Sequence, residues 1–387
     1  MKKIAIVLTQ PIEYGTSSMI RCRNIINEYP KRGWEVICFS PYPDRNSQYY
    51  DEHINMDSHI KLKRYGGIYD AGRTSNEKKT LKKKLLSFMR RMYKKIDLFG
   101  SSIKYVKYKK EICKDIKKEN CFFLFSFSDP KTAHMVAGYC KKNIKNIEYI
   151  QQWGDPLTLD ITGKSIWPRW FKHIVEARLL KPADRVCYVS PLTFKEQKKE
   201  FKKESRKMIF LPTPCERKEY ESNNNKRIRI GYFGSYNIVA RDIRPFYVAA
   251  CNIKECDFIF VGDSDVKIEY KENIKIVNRV TPEELEEYIS KVDILVCLMN
   301  KRGTQIPGKI YHYGGTNKEV LVIKDGECGD EIEKFFTKYD RYTFVENNKD
   351  AIIEAIYNYI SNGVPRRTPL NEFRAEIVAT ALIDGLV

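Results

Sequence analysis

Short runs of β-branched and aromatic residues recur along the chain, separated by longer segments of helical period. This alternation restricts the chain to an open parallel sheet covered by helices. In the first half the runs are Ile4–Leu8, Trp34–Phe39, Phe122–Phe127, Ile147–Ile150 and Val186–Val189. In the second they are Ile228–Phe233, Asp257–Val261, Ile274–Val277, Val292–Leu298 and Val320–Ile323. Between the halves lie Leu211-Pro212-Thr213-Pro214 and a polar stretch from Glu216 to Arg227 that contains Asn223-Asn224-Asn225, which reads as a linker with a boundary near residue 210. Each half opens with a basic residue, an apolar strand and a Gly-containing loop, KKIAIVLTQPIEYG and KRIRIGYFGSYN. The expected fold class is α/β: two doubly wound Rossmann-like domains facing across a cleft, which is the default position for a ligand. The segment Leu370 to Leu386 has helical period and closes the chain.

At 387 residues, with 42% hydrophobic and 31% charged side chains, the chain can fill two cores. No stretch approaches the ~20 apolar residues of a membrane-spanning helix. Met1-Lys2-Lys3 followed by Ile4 to Leu8 resembles the start of a signal peptide, but this run is shorter than the ~7 residues of an h-region and no small-residue cleavage site follows. It reads as the first strand of a cytoplasmic protein. Eleven cysteines occur without a C-x-x-C pair, and Cys38, Cys187 and Cys297 fall inside apolar runs, as buried thiols do in a reducing compartment. Neither a disulfide scaffold nor a zinc module is expected.

The formal charge is +19, and residues 1 to 120 hold 27 Lys plus Arg against 13 Asp plus Glu, an excess of 14 in under a third of the chain. Such a face suits a polyanion or an anionic surface. Residues 81 to 99 place Leu81, Leu85, Phe88, Met92, Ile96 and Phe99 on one helical face flanked by lysines and arginines. That pattern is expected to pack its apolar face while turning its basic edge toward lipid headgroups or a lipid-linked acceptor.

The most informative segment is QIPGKIYHYGGTNKEVLVI, Gln305 to Ile323. Pro307-Gly308 can open a helix whose free N–H groups donate to phosphate oxygens, Lys309 adds charge in its first turn, and Gly314-Gly315 ends it before a buried strand. An ordinary loop–helix–strand unit carrying a surface lysine would read the same way. The segment resembles the donor-site signature of glycosyltransferase family 4 and its relatives with the glycosyltransferase-B fold, approximately P-x-K-x-x-E/D-Y-x-x-x-x-K/R-P-[I/V]-L. Pro307, Lys309, Tyr313, Lys318, Val320 and Leu321 match, while His312 stands for the acid that bonds the donor ribose and Glu319 for the proline.

Other stretches resemble the same family in order. Tyr232 to Ala250 resembles the strand, glycine loop and helix that open the donor domain. The resemblance implies that Gly234 and Ser235 approach the donor phosphates and that Arg241, or Arg244, neutralises them. Asn278 to Leu285 resembles the turn that meets the base, through Arg279 and Val280, before a helix capped by Thr281 with Glu284. In the first half Gly15, Thr16, Ser17 and Ser18 resemble the loop after the first strand, and Trp153-Gly154-Asp155-Pro156 lies where the fold puts an acceptor-side polar group. Asp155 is the first choice for a base or acceptor-orienting group, ahead of Asp129 and Glu13, each of which can equally cap a helix. Asp263-Ser264-Asp265 reads as a turn, and no metal is expected.

The resemblance thus implies an acceptor domain over 1–205, a nucleotide-sugar domain over 206–365 and a helix over 366–387 crossing back to the first. It implies transfer of a hexosyl group from a nucleotide-diphosphate sugar to an acceptor hydroxyl with retention, without a metal or other cofactor. The acceptor would be a lipid-linked glycan or envelope polymer, handled at the inner face of the cell membrane. Catalysis would fall to Lys309, Arg241 and Asp155, with Pro307, Gly308, His312 and Tyr313 completing the donor site. Two rivals are a nucleotide-sugar 2-epimerase of the same architecture, which calls for more acids and histidines in the cleft than five scattered histidines suggest, and a nucleic-acid-binding protein, for which no recognition motif is present.

Overall fold

The computed structural model describes residues 2–69, 98–160, 165–222, 227–236, 238–264 and 266–384. The expected basic helix over 81–99 lies, except for its last two residues, outside the described residues. The chain divides into two compact units, Met1–Pro212 with Val378–Val387, and Thr213–Ile377.

The first unit is built on seven parallel strands: β1 (Lys3–Val7), β2 (Glu35–Tyr42), β3 (Ile60–Ile68), β4 (Phe123–Phe127), β5 (Glu148–Trp153), β6 (Arg185–Tyr188) and β7 (Met208–Phe210), in the order β3-β2-β1-β4-β5-β6-β7. The second has six: β8 (Arg229–Phe233), β9 (Asp257–Val261), β10 (Ile274–Val277), β11 (Ile294–Leu298), β12 (Glu319–Lys324) and β13 (Thr343–Glu346), in the order β10-β9-β8-β11-β12-β13. Every ladder is parallel, so helices must cover both faces, and the central strands are mainly apolar. Ile4 to Val7 and Ile294 to Val296 are fully buried. In each sheet the order reverses beside the unit's first strand, between β1 and β4 and between β8 and β11. The loops leaving the carboxyl ends there run to opposite faces and open a crevice.

Three strands escape the apolar-run pattern. β3 is an edge strand in which Lys61, Lys63 and Arg64 interrupt the apolar residues and pair with acids, Lys61 with Glu35 at 2.5 Å and Lys63 with Glu119 at 2.8 Å. Charged edges of this kind discourage pairing with another chain. β13 is the opposite edge of the second sheet and is only half-buried, and β7 has three residues.

The closing helix spans Ala375–Asp384 rather than starting at Leu370. Ahead of it the chain is pinned to the second unit, with the Arg367 amide donating to the Asn317 carbonyl and the Phe373 ring packed edge-on against Tyr311 and Tyr339. From Val378 onward the helix belongs to the first unit. There Val378, Ala379 and Leu382 join its core and the Tyr29 hydroxyl donates to the Ala379 carbonyl at 3.2 Å. All eleven cysteines are free and nine are buried. No helix among the described residues is long and apolar enough to cross a membrane.

Candidate functional site

In the second unit the crevice between β8 and β11 collects the residues that the sequence pattern singled out. β8 ends at Phe233, and Gly234 turns the chain with φ +147°, a conformation that favours glycine. Its amide donates to the Val261 carbonyl at 2.8 Å. The next strand ends in the same way at Gly262, φ +146°, where a Cβ would lie 2.3 Å from the Gly234 carbonyl oxygen. Two strand-end glycines therefore let adjacent loops touch, and the second was missed because FVGD alone reads as an ordinary turn.

Lys309 is the first residue of the short helix Lys309–Gly314, which starts from Gly308 behind the buried Pro307. Gly314 and Gly315 close this helix with negative φ at Gly315, so their role is close packing. A Cβ on Gly314 would meet the Tyr342 hydroxyl at 2.3 Å and one on Gly315 would meet Cys215 Sγ at 2.6 Å. The Lys309 stem crosses over Gly234, and its ammonium lies 5.9 Å from the Tyr313 ring centroid. The Tyr313 hydroxyl is buried and has no hydrogen-bond partner among the described residues. Arg241 enters the crevice from the loop after β8, and its Nε donates to Asn300 Oδ1 at 2.8 Å. The Asn300 carboxamide in turn donates to the Gln305 carbonyl at 2.8 Å, so the loop after β11 orients the guanidinium.

Among the described residues neither Lys309 nor Arg241 makes an ion pair. Desolvation first, and the Arg241 cation with it, bring the Lys309 ammonium down to about 8, against the opposing influence of Cys297. Burial pushes the Cys297 thiol up to about 12. Two neighbouring cations without a carboxylate between them, at the carboxyl ends of parallel strands, form an electrostatic vacancy for an anion.

The other expected donor-site residues are placed differently. Arg244 forks onto Asp242 at 2.8 and 2.5 Å, so its charge is already matched. Arg279 is exposed beyond the edge strand β10, with Asp263 3.9 Å away, and Val280 is half-buried beside it. Thr281 and Glu284 form the expected capping box. Ser235 is exposed at the loop tip and His312 is half-buried in the short helix. Glu319, in the proline position of the family pattern, is fully buried at the start of β12 and bonded to Arg367, Thr343 and Tyr359 at 2.5, 2.8 and 3.0 Å. Ser264 bridges to Tyr236 in the turn after β9. No group of three or more His, Cys, Asp or Glu that could hold a metal ion occurs among the described residues.

In the first unit the crevice between β1 and β4 is closed by hydrogen bonds. Gln10 Nε2 donates to the Asp129 carbonyl at 2.7 Å and to Ser18 Oγ at 2.7 Å, and Thr9 meets Thr132 at 2.7 Å. Beside it, past β4 and β5, stand Asp129 and Asp155. Arg21, buried beneath them, ties the turn after β4 to the end of β5: its Nε donates to Gln152 Oε1 at 2.8 Å and its Nη2 to the Ser128 carbonyl at 2.7 Å. Gly154 lies against this guanidinium, where a Cβ would sit 3.0 Å from Nη2. Desolvation, then the Asp129 charge, raise the Asp155 carboxyl to about 6, although Lys131 and Arg21 oppose this. Burial works against the Lys131 ammonium, but Asp129, bonded at 2.8 Å, and the more distant Asp160 and Asp155 outweigh it. Arg21 carried no sequence signal, because its partners lie more than a hundred residues away, and Lys131 carried none, because only the fold buries it beside Asp129. Glu13 is bound by Arg64.

No family model matches the chain, and no curated protein does. Solved structures match over its whole length. HepE of Anabaena, in complex with UDP and glucose, is 10% identical over 98% of this chain and 95% of that one, with a TM-score of 0.57. Sucrose-phosphate synthase of Thermosynechococcus elongatus is 14% identical over 100% and 94%, TM-score 0.59. A Listeria monocytogenes protein described as a UDP-N-acetylglucosamine 2-epimerase is 10% identical over 99% and 94%, TM-score 0.51. The class that this architecture defines is the glycosyltransferase-B fold, and the chain has it.

Proposed function

We propose that the protein is a glycosyltransferase that takes its sugar from a nucleotide-diphosphate donor held in the second unit. The observation that carries this reading is the pairing of Lys309 and Arg241, two adjacent cations without ion-pair partners among the described residues, over the glycine turn that ends β8. A diphosphate supplies the missing negative charge, and the same cations stabilise it as it departs and its charge grows. Gly234 carries no side chain, so a phosphate oxygen can come close to the turn beneath the lysine. On the acceptor side, the ionised Asp155 carboxylate orients the attacking hydroxyl by accepting its hydrogen bond, while Arg21 packs against Gly154 and the Gly154 amide donates to Ser128 Oγ at 3.1 Å to fix the turn that carries it. Motif residues Pro307, Lys309, Tyr313 and Lys318 support family 4 and, with it, retention. The fold itself is shared by transferases and an epimerase.

Transfer is preferred to epimerisation on the histidine placement. His134 is buried against Trp153, His173 stacks on Phe201, and His53 and His59 are exposed, all in the first unit; only His312 lies in the second. The acceptor class best matched to the basic first third is an anionic or lipid-pyrophosphate-linked glycan at a membrane surface. Thermal-shift screening against UDP-, GDP-, CMP- and dTDP-sugars tests the donor reading. One nucleotide class should raise the melting temperature and Lys309→Ala should abolish the rise; a flat response to all four contradicts it. UDP-sugars come first in that screen, since HepE is seen with UDP-glucose.

A further inference from the structure

A pocket of about 530 Å³ opens at the carboxyl ends of β2 and β3 in the first unit, and of the residues weighed above for transfer chemistry only Glu13, engaged by Arg64, lines it. Its size falls within the ~300–1,000 Å³ of small-molecule sites. Tyr42, Tyr50 and Ile68 give it an apolar surface, and Asp44, Arg45 and Asn46 add a polar rim from the loop after β2.

This loop is held in place from several sides. The Asp44 amide donates to the Tyr14 hydroxyl at 3.2 Å, the Asn46 amide to Asp44 Oδ1 at 3.0 Å, and the Gly15 amide to the Tyr49 carbonyl at 2.7 Å. Below it Arg64 is locked by Glu13 and donates to the Pro41 carbonyl at 2.9 Å. Yet the residues facing outward are unspent. Tyr42 is 48% exposed and Ile68 68%, and among the described residues no hydrogen bond or ion pair engages the side chains of Arg45 and Asn46.

An apolar wall beside a preformed rim of mixed donors and acceptors selects a particular chemistry. A purely apolar ligand would cover the Arg45 and Asn46 side chains without giving them partners. A phosphate would find Arg45 as its one unengaged cation among the described residues, because Arg64 is spent on Glu13, and would lie beside the Asp44 carboxylate. A pyranose satisfies both halves, because its C–H face packs on an aromatic ring while its hydroxyls pair with carboxylate, carboxamide and guanidinium groups. We infer that this pocket holds one sugar unit of the acceptor glycan, away from the hydroxyl that reacts. The word acceptor rests on the transfer reading; the assignment of the pocket to a sugar does not.

The full chain tests this by saturation-transfer NMR with methyl glycosides and disaccharides of glucose, galactose and N-acetylglucosamine at millimolar concentration. At least one should bind, and Tyr42→Ala and Asn46→Ala should each weaken it tenfold or more, with melting temperature and nucleotide-induced shift unchanged. No binding of any saccharide to the wild type, or binding that survives both substitutions, overturns the proposal. Saccharide binding that depends on Tyr42, in a protein that no nucleotide sugar stabilises, would leave the pocket assignment standing and remove the transfer reading.

Discussion

A Cβ on Gly234 would lie 2.8 Å from Lys309 Cε, so the residue that ends β8 and the lysine that opens the short helix after β11 share one space. The glycine allows the ammonium to cross the crevice at the point where strand order reverses. Glycine turn, lysine and Arg241 then converge although 75 residues separate Gly234 from Lys309 in the sequence.

Gly234→Ala should therefore displace the lysine rather than unfold the unit, because the clash falls on the far end of a flexible side chain. Some strain is added by the φ of +147°. The expected outcome is a loss of about 1 kcal/mol in stability with at least about a tenfold loss in nucleotide affinity. Paired unfolding and calorimetric titrations check this. Equal affinity in the variant would show that the lysine position is immaterial.

The Asp155 carboxyl gives a pH dependence of known sign. Its folded value is raised from 3.8 to about 6, so the folded chain holds the proton more tightly and the stability it contributes is lost as pH rises through about 6. Activity runs the other way, because the ionised form orients the acceptor, and should rise through the same window. Asp155→Asn should be more stable than the wild type at pH 7.5, by about 1–2 kcal/mol, and at least about 100-fold slower in transfer. Melting curves and rates at pH 5 and 7.5 check both signs. A variant with wild-type rates would remove Asp155 from the mechanism.

Glu319 stands in the proline position of the family pattern and is fully buried against Arg367. Glu319→Ala leaves that guanidinium without its carboxylate and should cost about 3 kcal/mol. The double variant with Arg367→Ala should recover part of the loss. Chemical denaturation of the four proteins measures the coupling, and an additive result would show that the pair is not coupled.

Much of this arrangement was readable from the chain. Central strands buried on both faces leave continuous apolar runs, so ten of the thirteen were visible, and the capping box at Thr281 announced its helix. β3 and β13 were hidden because these edge strands are only partly buried and mix charged or polar residues into the run, and β7 because it has three residues. Lys309, Gly234 and Arg241 were legible through local motifs. Arg21 and Asn300 were not, because each acquires its role from a partner that the fold brings to it, and Lys131 was not, because only the fold buries it. Arg244 looked equivalent to Arg241 in sequence, and only the position of Asp242 separates them.

The most direct measurement compares calorimetric titration of a nucleoside diphosphate, UDP first, with that of its monophosphate, on the wild type and on Lys309→Ala. The account predicts that the diphosphate binds the wild type at least tenfold more tightly and that the substitution erases the difference. Equal affinity for the two nucleotides, or a preference that survives without the lysine, would contradict it.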